Sequence, residues 1–177
     1  MEIRLATALD ADAIASLHIE SWRTTYRGML SDKYLDEDIF VERQQLWRTR
    51  LQSPPANLDV LLAMDDGLIA GFASLLGDED GHWGSMLDNL HVAAGHKGQG
   101  LGARMMRESA QWLHHRYPGH GMYLWVVEQN INARRFYDKM QGQVADTEIW
   151  YTPDGGELSS LRYAWKDLPA LGVCISI

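Results

Sequence analysis

The sequence has little cysteine, a shortage of positive charge and no long apolar run. Its 177 residues include one cysteine, Cys174, which excludes an intramolecular disulfide and any metal site built from several cysteines. The net charge of −8 argues against a protein that binds duplex DNA or an anionic membrane through bulk electrostatics. No segment approaches the roughly 18 consecutive apolar residues of a membrane span. We therefore expect neither a nucleic-acid partner nor a membrane partner.

What is present is the composition of an ordinary globular protein. Hydrophobic residues make up 46% and charged residues 23% of the chain, both close to globular averages. The first residues lack the apolar core of a signal peptide, and a lone cysteine suits a reducing compartment. The sequence thus predicts a cytoplasmic protein with a single domain over residues 1–177, its core at about 2–166 and a C-terminal tail at 167–177.

The hydrophobic pattern alternates between strands and helices. It predicts strands at 3–5, 60–64, 68–76, 86–92, 122–127, 144–151 and 158–165. Helices are predicted around 14–22, 39–51, 105–113 and 130–140. Asp65-Asp66-Gly67 is typical of a hairpin turn between two of these strands, and we expect an acidic loop at 78–81 to close that hairpin. The pattern indicates one mixed α/β domain.

A glycine loop stands between a predicted strand and a predicted helix. Gly98, Gly100 and Gly102 alternate there, so backbone N–H groups can approach an anion at the start of the helix. A Walker loop is excluded, because Leu101-Gly102-Ala103 stands where that loop needs Gly-Lys-Ser/Thr. The dinucleotide fingerprint is weak, because the third glycine comes one residue early. A nucleotide-binding protein that uses the same glycines stays open as an alternative.

Two motifs resemble those of the GCN5-related N-acetyltransferase (GNAT) family. Lys97 to Gly102 follows Leu90-His91-Val92 and is similar to the family's acetyl-CoA loop, Arg/Gln-x-x-Gly-x-Gly/Ala. Residues 130–137 are similar to its second signature, Asn-x-x-Ala-x-x-x-Tyr, and residues 21–28 resemble a stretch of many bacterial members. Two departures are Lys97, where Arg or Gln is usual, and Gln141, where Gly usually follows the helix.

The resemblance implies a twisted, mixed sheet of six or seven strands flanked by helices, and acetyl transfer from acetyl-CoA to an amine by direct attack on the thioester. It implies that the strand holding Leu90 bends away from its neighbour, leaving amides free for the thioester and the pantetheine arm. Tyr137 is the implied acid that protonates the departing sulfur. The implied acetyl-CoA contacts are Leu90, His91, Val92, Lys97, Gly98, Gln99, Gly100, Leu101, Gly102, Ala103, Asn130, Ala133 and Tyr137. Asn130 is also a good helix N-cap, and Tyr137 could instead be a core tyrosine.

The base that deprotonates the amine has two candidates. Strict strand alternation puts Asp88 on one face with Leu90 and Val92, and His91 on the other face with Asn89. Asp88 is the first choice by resemblance, although a carboxylate of pKa ~3.9 is a feeble base. His91 has an intrinsic pKa closer to neutral pH, but its side chain is predicted to point to the less favourable face of the strand. A water relay or a purely structural role stays open for both.

The acceptor is predicted to be a small-molecule or peptide amine. Trp22 and Tyr26 are four residues apart, so on one helix they share a face that lines the acceptor site or packs in the core. Residues 1–80 hold fifteen acidic and seven basic side chains, which suits a cationic acceptor. The histidines show no ligand spacing, so no metal is expected.

Two further hypotheses concern the protein as a whole. The same glycine loop would also serve a non-catalytic acyl-CoA-binding sensor or interaction module, and Tyr137 favours the enzyme over that alternative. The apolar residues 173–177 are a candidate for pairing with a sheet edge or with a second subunit, which would make a homodimer.

Overall fold

A computed structural model, which describes residues 1–173, places seven strands in one sheet. The strands are β1 (Glu2–Leu5), β2 (Leu58–Asp65), β3 (Leu68–Asp80), β4 (Gly84–Val92), β5 (Met122–Val127), β6 (Gln143–Tyr151) and β7 (Glu157–Trp165). The helices are α1 (Ala11–Thr25), α2 (Ile39–Gln52), α3 (Leu101–Arg116), α4 (Ile131–Lys139) and α5 (Leu168–Val173). The sheet order is β1-β2-β3-β4-β5-β7-β6, and only the β4–β5 pair is parallel. The predicted fold class and strand count are confirmed.

The turn between β2 and β3 follows from its residues. Asp66 and Gly67 have φ values of 47° and 79°, and positive φ at both central positions is what a two-residue hairpin of type I′ requires. The acidic stretch differs from the prediction, because β3 continues to Asp80 through Asp78, whose φ is 46°. The stretch therefore ends a long strand instead of forming a loop.

Helices cover both faces of the sheet, and each face has its own core. Helix α3 packs on one face through Met105, Met106 and Leu113, together with inward residues of β3, β5 and β7. Helices α1 and α2 cover the other face, where Ile14 and Trp47 are completely buried. The amphipathic patterns of α1 and α3 point each of these helices at one side of the sheet, whereas α2 buries only Ile39 and Trp47.

Strand β4 carries a β-bulge at Asp88, and this contradicts the predicted alternation. Leu75 pairs with Leu87 and Ser74 with Asn89, which leaves Asp88 without an opposite residue. Leu90 and Val92 pack on the α3 side, whereas Asp88 bonds to Arg50 of α2 on the other face. His91 also contacts that second face, so the prediction that separated Asp88 from His91 is wrong. The extra residue in the strand is the physical reason.

The end of α4 explains the unusual residue after it. Gln141 has a φ of 61°, and its N–H donates to the carbonyl of Asp138 at 2.9 Å. The N–H of Gly142 donates to the carbonyl of Tyr137, also at 2.9 Å. These two bonds form a Schellman end, in which the left-handed residue is usually glycine. The turn is therefore kept with Gln141 in a strained position.

The predicted C-terminal tail begins as a helix. Leu168 and Leu171 of α5 are buried against the α3 side of the core. Residues 174–177 lie outside the described part of the chain, so the pairing predicted for 173–177 and the homodimer stay predictions. Within residues 1–173, no helix is long and apolar enough to cross a membrane.

Candidate active site

A cavity opens where β4 and β5 separate. The two parallel strands pair at only two positions, Ser85 with Met122 and Met86 with Tyr123. Beyond them lies a cavity of about 780 Å³. Of the predicted site residues, the following line it: Trp22, Tyr26, Asp88, Leu90, His91, Val92, Lys97, Gly98, Gly100, Gly102, Ala103, Asn130, Ala133 and Tyr137. The separation expected from the family resemblance is thus present, and it brings both motifs to one cavity.

The glycine loop forms one open wall of this cavity. Gly98 and Gly100 have φ values of 74° and 82°, and no heavy atom lies within 4 Å of the position that a Cβ would take on either. Gly100 is the N-cap of α3, so the free N–H groups of a long helix begin at the loop. Lys97 adds a positive charge at its edge. This wall can hold an anionic group such as a pyrophosphate.

Two residues predicted as acetyl-CoA contacts do not line the cavity. The Gln99 side chain donates to the carbonyl of Gly95 at 2.8 Å and so braces the loop from within. Leu101 is 4% exposed and packs in the core beneath α3. Their side chains shape the glycine loop, and only their backbone remains for a ligand.

The second motif brings Asn130 and Tyr137 to the same cavity. The Asn130 side chain accepts a hydrogen bond from the N–H of Ala133 at 3.2 Å. Asn130 is therefore the N-cap of α4, which is one of the two roles predicted for it. The Tyr137 ring lies 5.7 Å from that of Tyr163 and 6.0 Å from that of Trp165. Tyr137 is thus both packed against the core and exposed to the cavity.

The phenol of Tyr137 stays protonated. Burial, with a smaller effect of the Tyr26 hydroxyl, raises the pKa of Tyr137, and burial raises the pKa of Tyr26 to about 12. No hydrogen bond joins the Tyr137 hydroxyl to another part of the described chain. A neutral phenol with a free O–H is a proton donor toward the cavity.

Asp88 is held by an ion pair. Its carboxylate accepts a hydrogen bond from Nη1 of Arg50 at 2.6 Å and one from the amide nitrogen of Asn89 at 2.7 Å. Ser74 lies farther off, with its hydroxyl at 3.4 Å. These contacts hold the Asp88 side chain at the bulge of β4. It is the only carboxylate among the described residues that line the cavity.

His91 is held by the first helix. Its Nδ1 lies 2.8 Å from the hydroxyl of Ser21, and its ring packs on Phe72 and His18 at 5.1 and 4.8 Å. Burial, with the charges of Lys97 and Arg43, lowers the pKa of His91 to about 3. The imidazole is therefore neutral near pH 7.

An aromatic wall closes the end of the cavity away from the glycine loop. The rings of Trp22 and Tyr26 are 5.0 Å apart, and both lie about 6 Å from that of Trp150. The Arg43 guanidinium stacks on Trp22 at 4.5 Å. Helix α1 ends at Thr25 and Tyr26 is its C-cap, so the two residues do not lie on one helix as predicted, although their rings are in contact. Both residues line the cavity and also pack on a small core beside α2.

Several lining residues were not predicted. They are Ser21, Thr24, Thr25, Asn89, His96, Trp125, Val126, Asn132 and Phe136. Ser21 and Thr25 follow from the helical spacing that gave Trp22 and Tyr26, since neighbours on α1 border the same space. Trp125 had no such signal, because strand alternation alone does not say which strands separate.

The negative charge of the first 80 residues does not reach the cavity. None of their fifteen acidic side chains lines it. Several instead pair with nearby arginines, as Asp10 does with Arg4 and Asp36 does with Arg27. The cavity is therefore lined mostly by uncharged residues, both aromatic and polar, with Asp88 and Lys97 as the acidic and basic side chains among them. The described residues contain no cluster of three or more His, Cys, Asp or Glu side chains suited to a metal ion.

Comparisons with known proteins agree with this geometry. The family model described as acetyltransferase (GNAT) family matches residues 14–142. An uncharacterized N-acetyltransferase of Bacillus subtilis, YuaI, is 28% identical over 174 residues, which cover 96% of this chain and 95% of that protein. The solved PaiA N-acetyltransferase of Thermoplasma acidophilum, in complex with coenzyme A, has a TM-score of 0.73 at 23% identity and covers 93% of this chain and 98% of its own. An acetyltransferase structure from Salmonella typhimurium, YncA with acetyl-CoA, has a TM-score of 0.65 at 20% identity, covering 94% of this chain and 93% of its own.

Proposed function

Because this chain belongs to the GNAT acetyltransferase family, we propose that it transfers an acetyl group from acetyl-CoA to a primary amine. One observation carries the proposal: a single cavity joins the glycine loop, the separated edge of β4 and the free phenol of Tyr137. The cavity thereby offers a binding site for an anionic acetyl carrier and, in the same space, a proton donor for the sulfur of that carrier. The structures of PaiA and YncA, which hold coenzyme A and acetyl-CoA, support this choice of donor.

The residues of the cavity fit acetyl-CoA by their chemistry. Gly98 and Gly100 leave open space where a side chain would stand, and the N-terminus of α3 favours negative charge there. Lys97 would contact a phosphate as a point charge, without the planar fork of arginine. The unpaired edge of β4 near Leu90 would bond the pantetheine arm and the thioester carbonyl. Asn130, already the cap of α4, has its side-chain NH₂ left for the same arm.

The proposed reaction is a direct transfer. The neutral amine nitrogen attacks the thioester carbonyl carbon, the new C–N bond forms, and the C–S bond breaks to release CoA. Tyr137 donates its phenolic proton to the departing sulfur, and the proton that the attacking nitrogen loses as it becomes an amide nitrogen restores the phenol, so the products are the amide and the free thiol of CoA. The burial that raises the pKa of Tyr137 keeps the phenol protonated until the sulfur departs.

The amine must lose a proton, and Asp88 is the proposed acceptor through a water molecule. Its carboxylate lines the cavity and is held by an ion pair with Arg50. An amine of pKa near 10.4 needs about 4–5 kcal/mol to reach its neutral form at pH 7. Asp88→Asn should therefore move the acidic limb of the pH–rate profile, and an unmoved limb would leave bulk water as the acceptor.

The experiment that tests the proposal is a thiol-release assay with acetyl-CoA over a panel of amines. Tyr137→Phe should lower kcat about a hundredfold, because general acid catalysis is lost, with acetyl-CoA affinity unchanged. Tyr151→Phe, at a tyrosine that is 73% exposed on β6, is the matched control and should behave as wild type. An unchanged kcat for Tyr137→Phe would remove its role as acid.

The non-catalytic alternative makes a different prediction for the same assay. A sensor that only binds acyl-CoA would be stabilised by acetyl-CoA against heat and would release no thiol with any amine. A nucleotide-binding protein would instead be stabilised by ATP and not by acetyl-CoA. Thermal shift with both ligands, run beside the thiol assay, separates the three functions.

A further inference from the structure

We infer that Ser21 fixes His91 as a neutral hydrogen-bond donor, and that this donor selects acceptor amines carrying a carbonyl oxygen next to the amino group, such as an amino-acid amide or a peptide N-terminus. This inference rests on the proposed acetyl transfer and names the acceptor class of that same site. It assigns His91 to binding, in place of the base predicted from the sequence. Ser21 becomes a positioning residue that acts through His91.

The hydroxyl of Ser21 behaves unlike those of Ser16 and Thr24 on the same helix. Ser16 and Thr24 donate to the carbonyls of Asp12 and Glu20 four residues earlier, each at 2.9 Å, as is common for hydroxyls in a helix. Ser21 makes no such bond among the described residues. Its hydroxyl turns instead to Nδ1 of His91, at 2.8 Å across the gap between α1 and β4.

This contact decides which nitrogen of His91 holds the proton. Ser21 is 9% exposed, so a hydroxyl proton without an acceptor would be costly. Nδ1 of His91 is the acceptor within reach, and accepting leaves it without a proton. A neutral imidazole then has its hydrogen on Nε2. The neighbouring His18 has the same tautomer, because its Nδ1 accepts from the indole N–H of Trp47 at 2.9 Å, a group that can only donate.

The Nε2–H of His91 is left for the cavity. His91 lines the cavity, and none of the described residues bonds to its Nε2. The groups that surround the ring are Ser21 and His18 of α1, Phe72 of β3, and the charges of Arg43 and Lys97. The nearby positive charges and burial hold the pKa of His91 at about 3. The ring therefore donates without ionising.

The surroundings favour a small oxygen-bearing acceptor over a polycation. No acidic side chain of residues 1–80 lines the cavity. A polycationic acceptor would therefore find no row of carboxylates to bind its second ammonium group. Asp88, the one carboxylate in the described lining, is already paired with Arg50. At pH 7 roughly a tenth of an α-amino group is unprotonated, against about one in 2,500 for a lysine-like amine. An α-amine beside a carbonyl meets both conditions, because it supplies the oxygen and gives up its proton readily.

The test compares two acceptors in wild type and His91→Phe. Alaninamide carries the carbonyl oxygen and propylamine does not. His91→Phe keeps an aromatic ring against Phe72 and removes the donor, so kcat/KM for alaninamide should fall about tenfold, mainly through KM. Because His91 also lines the cavity, the decisive readout is the ratio of kcat/KM for alaninamide to kcat/KM for propylamine, which should fall at least about fivefold in the variant. Equal losses with both amines would overturn the acceptor class.

The tautomer is tested separately by two-bond ¹H–¹⁵N spectra of the histidine rings. We expect the His91 proton on Nε2, with His18 as the internal reference for that tautomer. Ser21→Ala should change the His91 pattern and weaken alaninamide binding, whereas Ser16→Ala on the same helix should change neither. A proton on Nδ1 in wild type would overturn the inference. If no amine is acetylated, the proposed transfer and its acceptor class both fail, and the spectra still decide the tautomer.

Discussion

Lowering the pH from 7 to 5 should destabilise this protein through two imidazoles that fold in the neutral form. The pKa of His91 is lowered to about 3, and that of the almost fully buried His18 is lowered well below its usual value, chiefly by burial. In the unfolded chain both rings titrate near 6.5. Between these values the unfolded state binds protons that the folded state does not. The free energy of unfolding therefore falls as the pH falls below about 6.5 and is at its full value above it.

The magnitude follows from the His91 shift. An unfolded histidine is about one-quarter protonated at pH 7 and almost fully protonated at pH 5, while folded His91 stays neutral at both. The difference is about 2 kcal/mol for this ring, as an upper value since the ring borders the cavity. His18 acts in the same direction. Asp10, whose pKa is lowered to about 2 mainly by its bond with Arg4, weakens the fold only near pH 4 and below, so the window from 7 to 5 isolates the histidines.

Urea unfolding followed by tryptophan fluorescence at pH 7, 6 and 5 measures the effect. His91→Gln removes one titrating ring and should reduce the loss of stability over this window by about 2 kcal/mol. His115→Gln, on the exposed last turn of α3, is the matched control and should leave the pH dependence as in wild type. The reasoning would be refuted if the wild type were equally stable at pH 7 and 5. It would also be refuted if His91→Gln lost as much free energy of unfolding between these pH values as the wild type does.

Two glycine-related predictions follow from the backbone. Gln141→Gly should raise the free energy of unfolding by up to about 1 kcal/mol in urea titrations, because Gln141 sits at a φ of 61° that glycine adopts without strain; a loss of stability would show that its side chain contributes more than the strain costs. Gly100→Ala should destabilise by about 1 kcal/mol and weaken acetyl-CoA binding in calorimetry, because Gly100 has a φ of 82° in the anion wall. Gly95→Ala, in open space without positive φ, is the control, and equal binding by both variants would contradict the role of the loop.

Local chemistry made much of the fold predictable. Asp66-Gly67 marks the hairpin because both residues tolerate positive φ, and the predicted strand at 122–127 has the bounds of β5. The glycine loop was found because backbone N–H groups that bind an anion must approach it closely. Glycine allows this approach since it has no side chain, and its spacing is visible in the sequence. Tyr137 and Asn130 then follow from the resemblance and meet the loop in one cavity.

The wrong predictions concern positions where contacts between distant parts of the chain override the regular alternation of side chains along a strand. A bulge adds one residue to a strand, and nothing in the pattern of β4 marks Asp88 as that residue. Its role as an ion-pair partner depends on Arg50, which is 38 residues away. Ser21 lies on the first helix, and its partner His91 lies 70 residues further along the chain. Such pairs are set by how helices lie on the sheet, which a single sequence does not state.

The narrow join between β4 and β5 makes the ligand part of the protein's own architecture. The sheet consists of a four-stranded and a three-stranded half, and only two residue pairs tie them along that seam. A molecule bonded to the open edge of β4 would act as the missing stretch of ladder between the halves. Its concentration then sets the stability of the whole fold, and a hundredfold excess over Kd adds about 2.7 kcal/mol. The supply of acetyl-CoA would therefore also change how much of the protein stays folded.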